Sequence, residues 1–260
     1  MSRNPRGVGR RALVSAMAAV LAAAAWAAWP AGAGASVIGD ISIDVWDATQ
    51  THHGQQTFTI PDWVLTQGNK CKWDVDLGAL GLAVRDAENH VLATINSLSV
   101  SVDEDPAVSL VIGVTAGSTD TNFTITSSTI AFPTILHPQA FASAGITVTD
   151  NDSNGATVTG LLPGGKVYEA RYEGAVAWAD LIGQLTADVD GSNTESARRP
   201  GTGREAIPVA IGSIQSEYKF TLSANDSASG TSRFDVVPEP ATLALLAAGL
   251  GAVLLRRRGR

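Results

Sequence analysis

A single cysteine, Cys71, serves a chain of 260 residues. One thiol closes no intramolecular disulfide, so stability must come from an ordinary core, and Cys71 is expected to be buried and inert. Histidine is scarce as well, with four in all. His52 and His53 stand together in THHG, a polar loop between strands, and a zinc centre there would need partners that the sequence does not name. No Gly-x-Ser-x-Gly occurs, so there is no nucleophile elbow. Gly201-Thr202-Gly203-Arg204-Glu205-Ala206 fits dinucleotide spacing on paper, but it follows Arg-Arg-Pro rather than a strand and is set aside. Positive charge is thin between the termini. Eight of the 18 Lys and Arg lie in the two terminal segments, with one of the 25 acids, which leaves 10 basic against 24 acidic residues over Ser36–Val237. A net charge of −14 there excludes nucleic acid as a partner and leaves carboxylates free for cations.

What is present is concentrated at the ends. Arg3, Arg6, Arg10 and Arg11 precede an apolar stretch from Ala12 to Trp29, and Ala33-Gly34-Ala35 offers a small-x-small cleavage site. That order predicts a secretory signal peptide over residues 1–35, cleaved by signal peptidase after Ala35. An uncleaved signal anchor is the alternative, since the run is long and Ala-rich. At the other end Pro238-Glu239-Pro240 is followed by an apolar run, Ala241–Leu255, and by Arg256, Arg257, Arg258 and Arg260. Fifteen residues make a helix of roughly 22 Å. That is short of a hydrocarbon core of about 30 Å, so the run is a marginal permanent anchor but an adequate temporary one. The arginines stay on the cytoplasmic side. The prolines hold the triplet extended and outside the bilayer.

Triplet, apolar run and arginine cluster at a C-terminus resemble the PEP-CTERM sorting signal of exported bacterial proteins. The resemblance implies that an exosortase, a membrane protease, recognises Pro238, Glu239 and Pro240 and removes the tail. A plain anchor behind a Pro-Glu-Pro linker is the bland alternative. DPAVSLVIGVTAG, TNFTITSSTIAFP, ITVTDNDSNGATVTG and FTLSANDSASGTSRFDVVPEP are also similar to the β-rich body of a group of PEP-CTERM proteins. That likeness brings no catalytic assignment.

The middle of the chain alternates. Leu98, Val100 and Val102, then Val108, Leu110, Ile112 and Val114, then Phe123 and Ile125, then Tyr218, Phe220 and Leu222 stand at every second position. Period two with Ser and Thr between is the mark of strands with one solvated face. Turn clusters punctuate them at Asp103–Pro106, Ala116–Asp120, Asp150–Gly155, Pro163–Gly165 and Asn225–Gly230. The expected fold is mainly β, an antiparallel β-sandwich over residues 36–236. Signal peptide 1–35 and sorting signal 237–260 flank it, the latter made of a transmembrane helix, 241–255, and a tail, 256–260. Trp178, Leu181, Ile182 and Leu185 fall at i, i+3, i+4 and i+7, which predicts one short helix over Ala175–Leu185. Asp188–Arg204 is polar and rich in Gly and Ser, and is expected to be an exposed, mobile loop. A tether from about Ser232 to the triplet would be short, because Phe234 and Val236 still have strand character.

Chemistry is sparse. Asp150, Asp152 and Asn154 place oxygens at alternate positions before Gly155, as in a partial Ca²⁺ loop. Leu161 stands where an EF-hand needs its bidentate Glu, so this is not an EF-hand. The same residues are those of a hairpin turn. Asp188–Asn193 repeats the pattern more weakly. Asp103-Glu104-Asp105 reads as a solvated turn. Trp46, Trp63 and Trp73 offer aromatic faces for sugar stacking, with core packing the default for at least two of them. Together these features describe an exported, non-enzymatic surface or extracellular-matrix protein. Its expected partners are exosortase, signal peptidase, the membrane and exopolysaccharide, and it needs no cofactor beyond a candidate Ca²⁺. The alternative is a carbohydrate-binding sandwich.

Overall fold

The computed structural model describes residues 36–38, 40–60, 70–78, 81–103 and 106–239. The expected signal peptide with Ala33 and Ala35, the sorting helix with its arginine tail, Pro240 and Trp63 lie outside the described residues. In chain order the strands are β1 (Ser36–Ile38), β2 (Ile41–Asp47), β3 (His53–Phe58), β4 (Lys70–Asp74), β5 (Leu82–Arg85), β6 (Val91–Asp103), β7 (Ala107–Ala116), β8 (Thr121–Thr126) and β9 (Thr129–Ile135). Then come β10 (Pro138–Thr149), β11 (Ala156–Gly160), β12 (Tyr168–Tyr172), β13 (Val176–Leu181), β14 (Leu185–Ala187), β15 (Ser192–Arg199), β16 (Glu205–Ala206), β17 (Ile211–Leu222) and β18 (Ser227–Pro238). Among the described residues the helical content is one 3₁₀ turn, Pro163–Gly165, and no helix is long and apolar enough to cross a membrane.

The strands form two antiparallel sheets. Sheet one runs β1-β9-β17-β8-β2-β3, with β12 and β11 on the far flank of β17, β13 beside β12 and β14 beside β11. Sheet two runs β15-β10-β18-β7-β6-β4, with β16 beside β10 and β5 beside β6. All four alternating runs read from the sequence are strands, in β6, β7, β8 and β17. Their inward residues meet in one hydrophobic cluster. β10 alternates buried and half-buried without a break for twelve residues, and its inward side chains include Ala140, Ala142 and Ala144. Small residues on sheet two leave room for large ones on sheet one. Tyr168, Tyr218, Phe123 and Phe220 are fully buried. The Tyr218 ring lies over Gly230, where a Cβ would come 3.2 Å from it. Tyr218 donates to the Gly145 carbonyl at 3.2 Å, and the Tyr168 hydroxyl lies 2.9 Å from that of Ser216. Burial pushes the Tyr168 phenol up to about 12.

Three expectations fail. The helix over Ala175–Leu185 is strand instead, as β13 and β14. Ala170 pairs with Ala179 and Arg171 with Ala177, so Trp178 is the extra residue of a β-bulge. The bulge buries two consecutive side chains, Trp178 and Ala179. Ile182 then turns the chain with φ +63° and is itself buried. Bulge plus turn imitate helical spacing. Asp188–Arg204 is not a mobile loop either. Its core is β15, which pairs with β10 over eight residues from Thr149↔Ser192 to Ala142↔Arg199. An edge strand wet on both faces carries polar and charged residues, so its composition reads as loop. The expected turn Asn225–Gly230 is shorter than drawn, because Ser227–Gly230 already belong to β18.

Candidate functional site

Two buried aspartates, Asp150 and Asp86, each organise a loop. Asp150 follows β10. Its Oδ1 accepts the backbone N–H groups of Asp152, Ser153 and Asn154 at 3.2, 3.1 and 3.4 Å. Its Oδ2 accepts those of Gly155 and Asp190 at 3.1 and 2.7 Å. Burial works to raise this carboxyl, but the N–H donors, led by Asp190, outweigh it and hold it at about 2. Of the sequence trio, Asp150 and Asp152 come together with a residue not foreseen, Asp226. One oxygen of each lies within 4.8 Å of the others. Asn154 contributes its backbone N–H to the Asp150 carboxylate. Asp226 accepts from the Asn151 N–H and from the Ser223 hydroxyl, and burial first, then Asp152 and Asp150, raise its pKa. Asp190, from the weaker candidate Asp188–Asn193, accepts the Ser153 hydroxyl at 2.5 Å and so ties the two acidic loops together. The signal for Asp226 was in the sequence: Asn225-Asp226-Ser227 repeats Asn151-Asp152-Ser153.

Asp86 sits where the two sheets meet at the other kind of loop. His52 lies between β2 and β3 of sheet one, and Asp86 and His90 bound the β5–β6 hairpin of sheet two. Asp47 shapes the first loop by accepting the N–H groups of Thr51 and His52 at 2.7 and 2.8 Å and the hydroxyls of Thr49 and Thr51, which holds its carboxyl below the usual range. Gly54 makes the approach possible: a Cβ there would stand 2.6 Å from the Arg85 carbonyl oxygen. The Asp86 side chain is 1% exposed. Its Oδ1 accepts the His90 N–H at 2.7 Å. Its Oδ2 faces Nδ1 of His52 at 2.8 Å and Nδ1 of His90 at 2.9 Å. Burial opposes ionisation, yet His90 and His52 together keep the carboxyl below its ordinary value. His53, paired with His52 in the sequence, points elsewhere. It stacks on Trp46 at 4.0 Å and lies 3.5 Å from Asp44. Asp86 and His90, four apart across a turn, were not singled out in the sequence, and the 34-residue step from Asp86 to His52 belongs to topology.

A third cluster, also missed, lies on β12 and β17. Arg171 bonds Glu217 in two-pronged fashion at 2.9 and 2.7 Å and also reaches Glu169. Glu169 pairs in register with Glu217 on one side and Asp180 on the other. Burial first, then Glu169, raises Asp180. Glu169 and Glu217 share one guanidinium, a structural arrangement that alternation alone does not signal.

On sheet two a shallow groove of about 520 Å³ crosses β15, β10 and β18. Arg198, Ser143 and Arg233 stand in one cross-strand row and Ser196, Gly145 and Thr231 in the next. Trp46 is 37% exposed, while Trp73 is half-buried against the core.

β18 carries the chain out of the fold. It is a central strand between β10 and β7, and its last pair is Pro138↔Pro238. The Glu239 N–H donates to the His137 carbonyl at 3.0 Å. Val236 is buried, Val237 and Pro238 are half-buried and Glu239 is exposed. The triplet therefore starts on the strand itself.

Residues 236–258 match the PEP-CTERM protein-sorting motif. No curated protein matches the chain. Among solved structures, infectious bursal disease virus Gx strain aligns at 11% identity over 88% of this chain and 74% of that one, with a TM-score of 0.11. The VP2 subviral particle of infectious bursal disease virus aligns at 12% identity over 90% and 76%, again with a TM-score of 0.11. Scores so low imply neither a shared fold nor a shared role.

Proposed function

We propose that this chain, which carries a PEP-CTERM sorting motif and so is an exported protein sorted through an exosortase, serves as a non-enzymatic surface or extracellular-matrix protein associated with exopolysaccharide. The junction between domain and motif carries this reading. A central strand, β18, runs into Pro238 without a spacer, so the whole sandwich travels on the motif and is held close to the membrane until the tail is removed. Signal peptidase acts at the other end, after Ala35. The acidic mature segment suits a hydrated matrix, where net charge keeps the protein soluble. The test is the intact mass and location of the protein from its native host. The mature chain should begin near Ser36 and lack Ala241–Leu255. Replacing Pro238 and Glu239 should leave export intact and retain the protein in the membrane. Release of that variant at the parental level would reduce the triplet to a linker and sink the proposal.

A carbohydrate-binding module is the second reading. Trp46, exposed and braced by His53, favours it, as does the Arg198–Ser143–Arg233 row over Gly145. Indole faces stack on sugar rings and arginines recognise carboxylates. Glycan titration decides. Acidic oligosaccharide should bind the parent and bind at least about tenfold more weakly to Trp46→Ala or Arg198→Ala, the size of one lost anchor.

A further inference from the structure

We infer that His52, Asp86 and His90 form a site for a divalent transition-metal ion such as Zn²⁺, Ni²⁺ or Cu²⁺. Both Asp86 oxygens are engaged by neighbouring nitrogens, and a carboxylate only accepts hydrogen bonds. Both imidazoles must then carry their hydrogen on Nδ1, and both aim it at one oxygen, Oδ2. The other oxygen is already committed to the His90 N–H. The rings meet edge to face, 88° apart with centroids at 5.6 Å, and both turn Nδ1 toward that one oxygen. The nitrogens and the oxygen all lie within 4.8 Å of one another.

One metal ion can replace the two ring hydrogens. Each neutral imidazole moves its hydrogen from Nδ1 to Nε2 and presents the freed lone pair, so no proton need be lost. Zn–N and Zn–O bonds of about 2.0–2.2 Å put tetrahedral ligand atoms roughly 3.3 Å apart. The present spacings of 2.8 and 2.9 Å must open by about half an ångström from those bond lengths. The rings can give that much, because the His52 and His90 side chains are 42% and 66% exposed. The same exposure lets water complete the coordination. Two imidazoles and a carboxylate favour Cu²⁺ over Ni²⁺ and Zn²⁺ and disfavour Mg²⁺ and Ca²⁺. Asp47 and Gly54 preorganise the site, one by fixing the His52 backbone and the other by letting β3 press on β5.

The experiment titrates the full chain in detergent with Zn²⁺, Ni²⁺ or Cu²⁺ alone, with Mg²⁺ as control, by calorimetry and thermal unfolding. One equivalent should bind and raise the unfolding midpoint, since metal that favours the native state stabilises it. His52→Gln and His90→Gln should each weaken binding at least about tenfold, and His137→Gln should not. The paramagnetic resonance of the Cu²⁺ form should show coupling to two nitrogens, and to one in His90→Gln. His90 is on an exposed turn, so that variant folds even if His52→Gln does not. Binding at parental affinity in His90→Gln, coupling unchanged there, or no binding by the parent beyond the Mg²⁺ control would each overturn the site and leave a plain hydrogen-bonded clip.

Discussion

Asp150 and Asp86 are both buried aspartates at the mouth of a turn, and both are held ionised against burial. Their donors differ. Asp150 collects five backbone N–H groups from residues 152 to 155 and 190. Backbone donors cannot leave without unfolding the loop, and five of them use up the lone pairs of a carboxylate. Asp86 collects two imidazoles and one backbone N–H. Imidazoles can rotate, change tautomer and take a metal in place of a hydrogen. The first carboxylate builds the fold; the second leaves its partners free to do chemistry. The Glu169–Arg171–Glu217 cluster is the limiting case, where acids are held by one charged side chain.

The largest effect should come from that limit. Arg171→Leu strands two buried glutamates beside each other and should cost about 3 kcal/mol in denaturant unfolding, the low end for breaking a buried pair because Arg171 is partly exposed. Parental stability would mean that side-chain-held acids are replaceable even in the sheet. Next comes Gly54→Ala, whose Cβ meets a backbone carbonyl that no rotamer change can move. It should cost about 2 kcal/mol, typical of overpacking, and weaken metal binding at Asp86 in the same protein. An unchanged midpoint would show that the two sheets do not need the close approach there.

Asp150→Asn should lower the melting temperature by roughly 5 °C, the effect of weakening several charge-assisted bonds. Its pH dependence has a definite sign. The folded carboxyl titrates at about 2, below its ordinary 3.8. A depressed pKa stabilises fully above the unfolded value and is lost as pH falls through the folded one. The parent should therefore lose stability relative to Asp150→Asn between about pH 4 and pH 2. Parallel acid curves would remove Asp150 from the account. The smallest effect is that of Ca²⁺. With Asp150 filled by N–H donors, several millimolar Ca²⁺ should leave the melting temperature where Mg²⁺ leaves it, and Asp152→Ala should shift it little. A Ca²⁺-specific rise, lost in Asp152→Ala, would reverse the comparison and make Asp150, Asp152 and Asp226 a metal site.

Period-two patterning identified β6, β7, β8 and β17, because a side chain every second residue is all that a half-buried strand needs, but β2 and β10, with the same alternation, were not read from it. It failed at Trp178–Leu185, where a bulge inserts one residue, and at β15, where an edge strand has no buried face to mark. The Asp150 turn was legible because four of its five donors are its own neighbours in the chain.

By itself the sequence determined the sorting motif at residues 236–258, the acidic charge of residues 36–237, the β class and local turns such as Asp150–Gly155, for each rests on contiguous residues. Tertiary structure alone decided which strands share a sheet, that Asp226 joins Asp150 and that β18 reaches Pro238 as a central strand. It also decided that His52 meets Asp86 and His90 across the two sheets, while its neighbour His53 turns away to Trp46. His52 ends the loop held by Asp47 while His53 opens β3, so neighbours in sequence part and residues 34 apart converge once the sheets have packed.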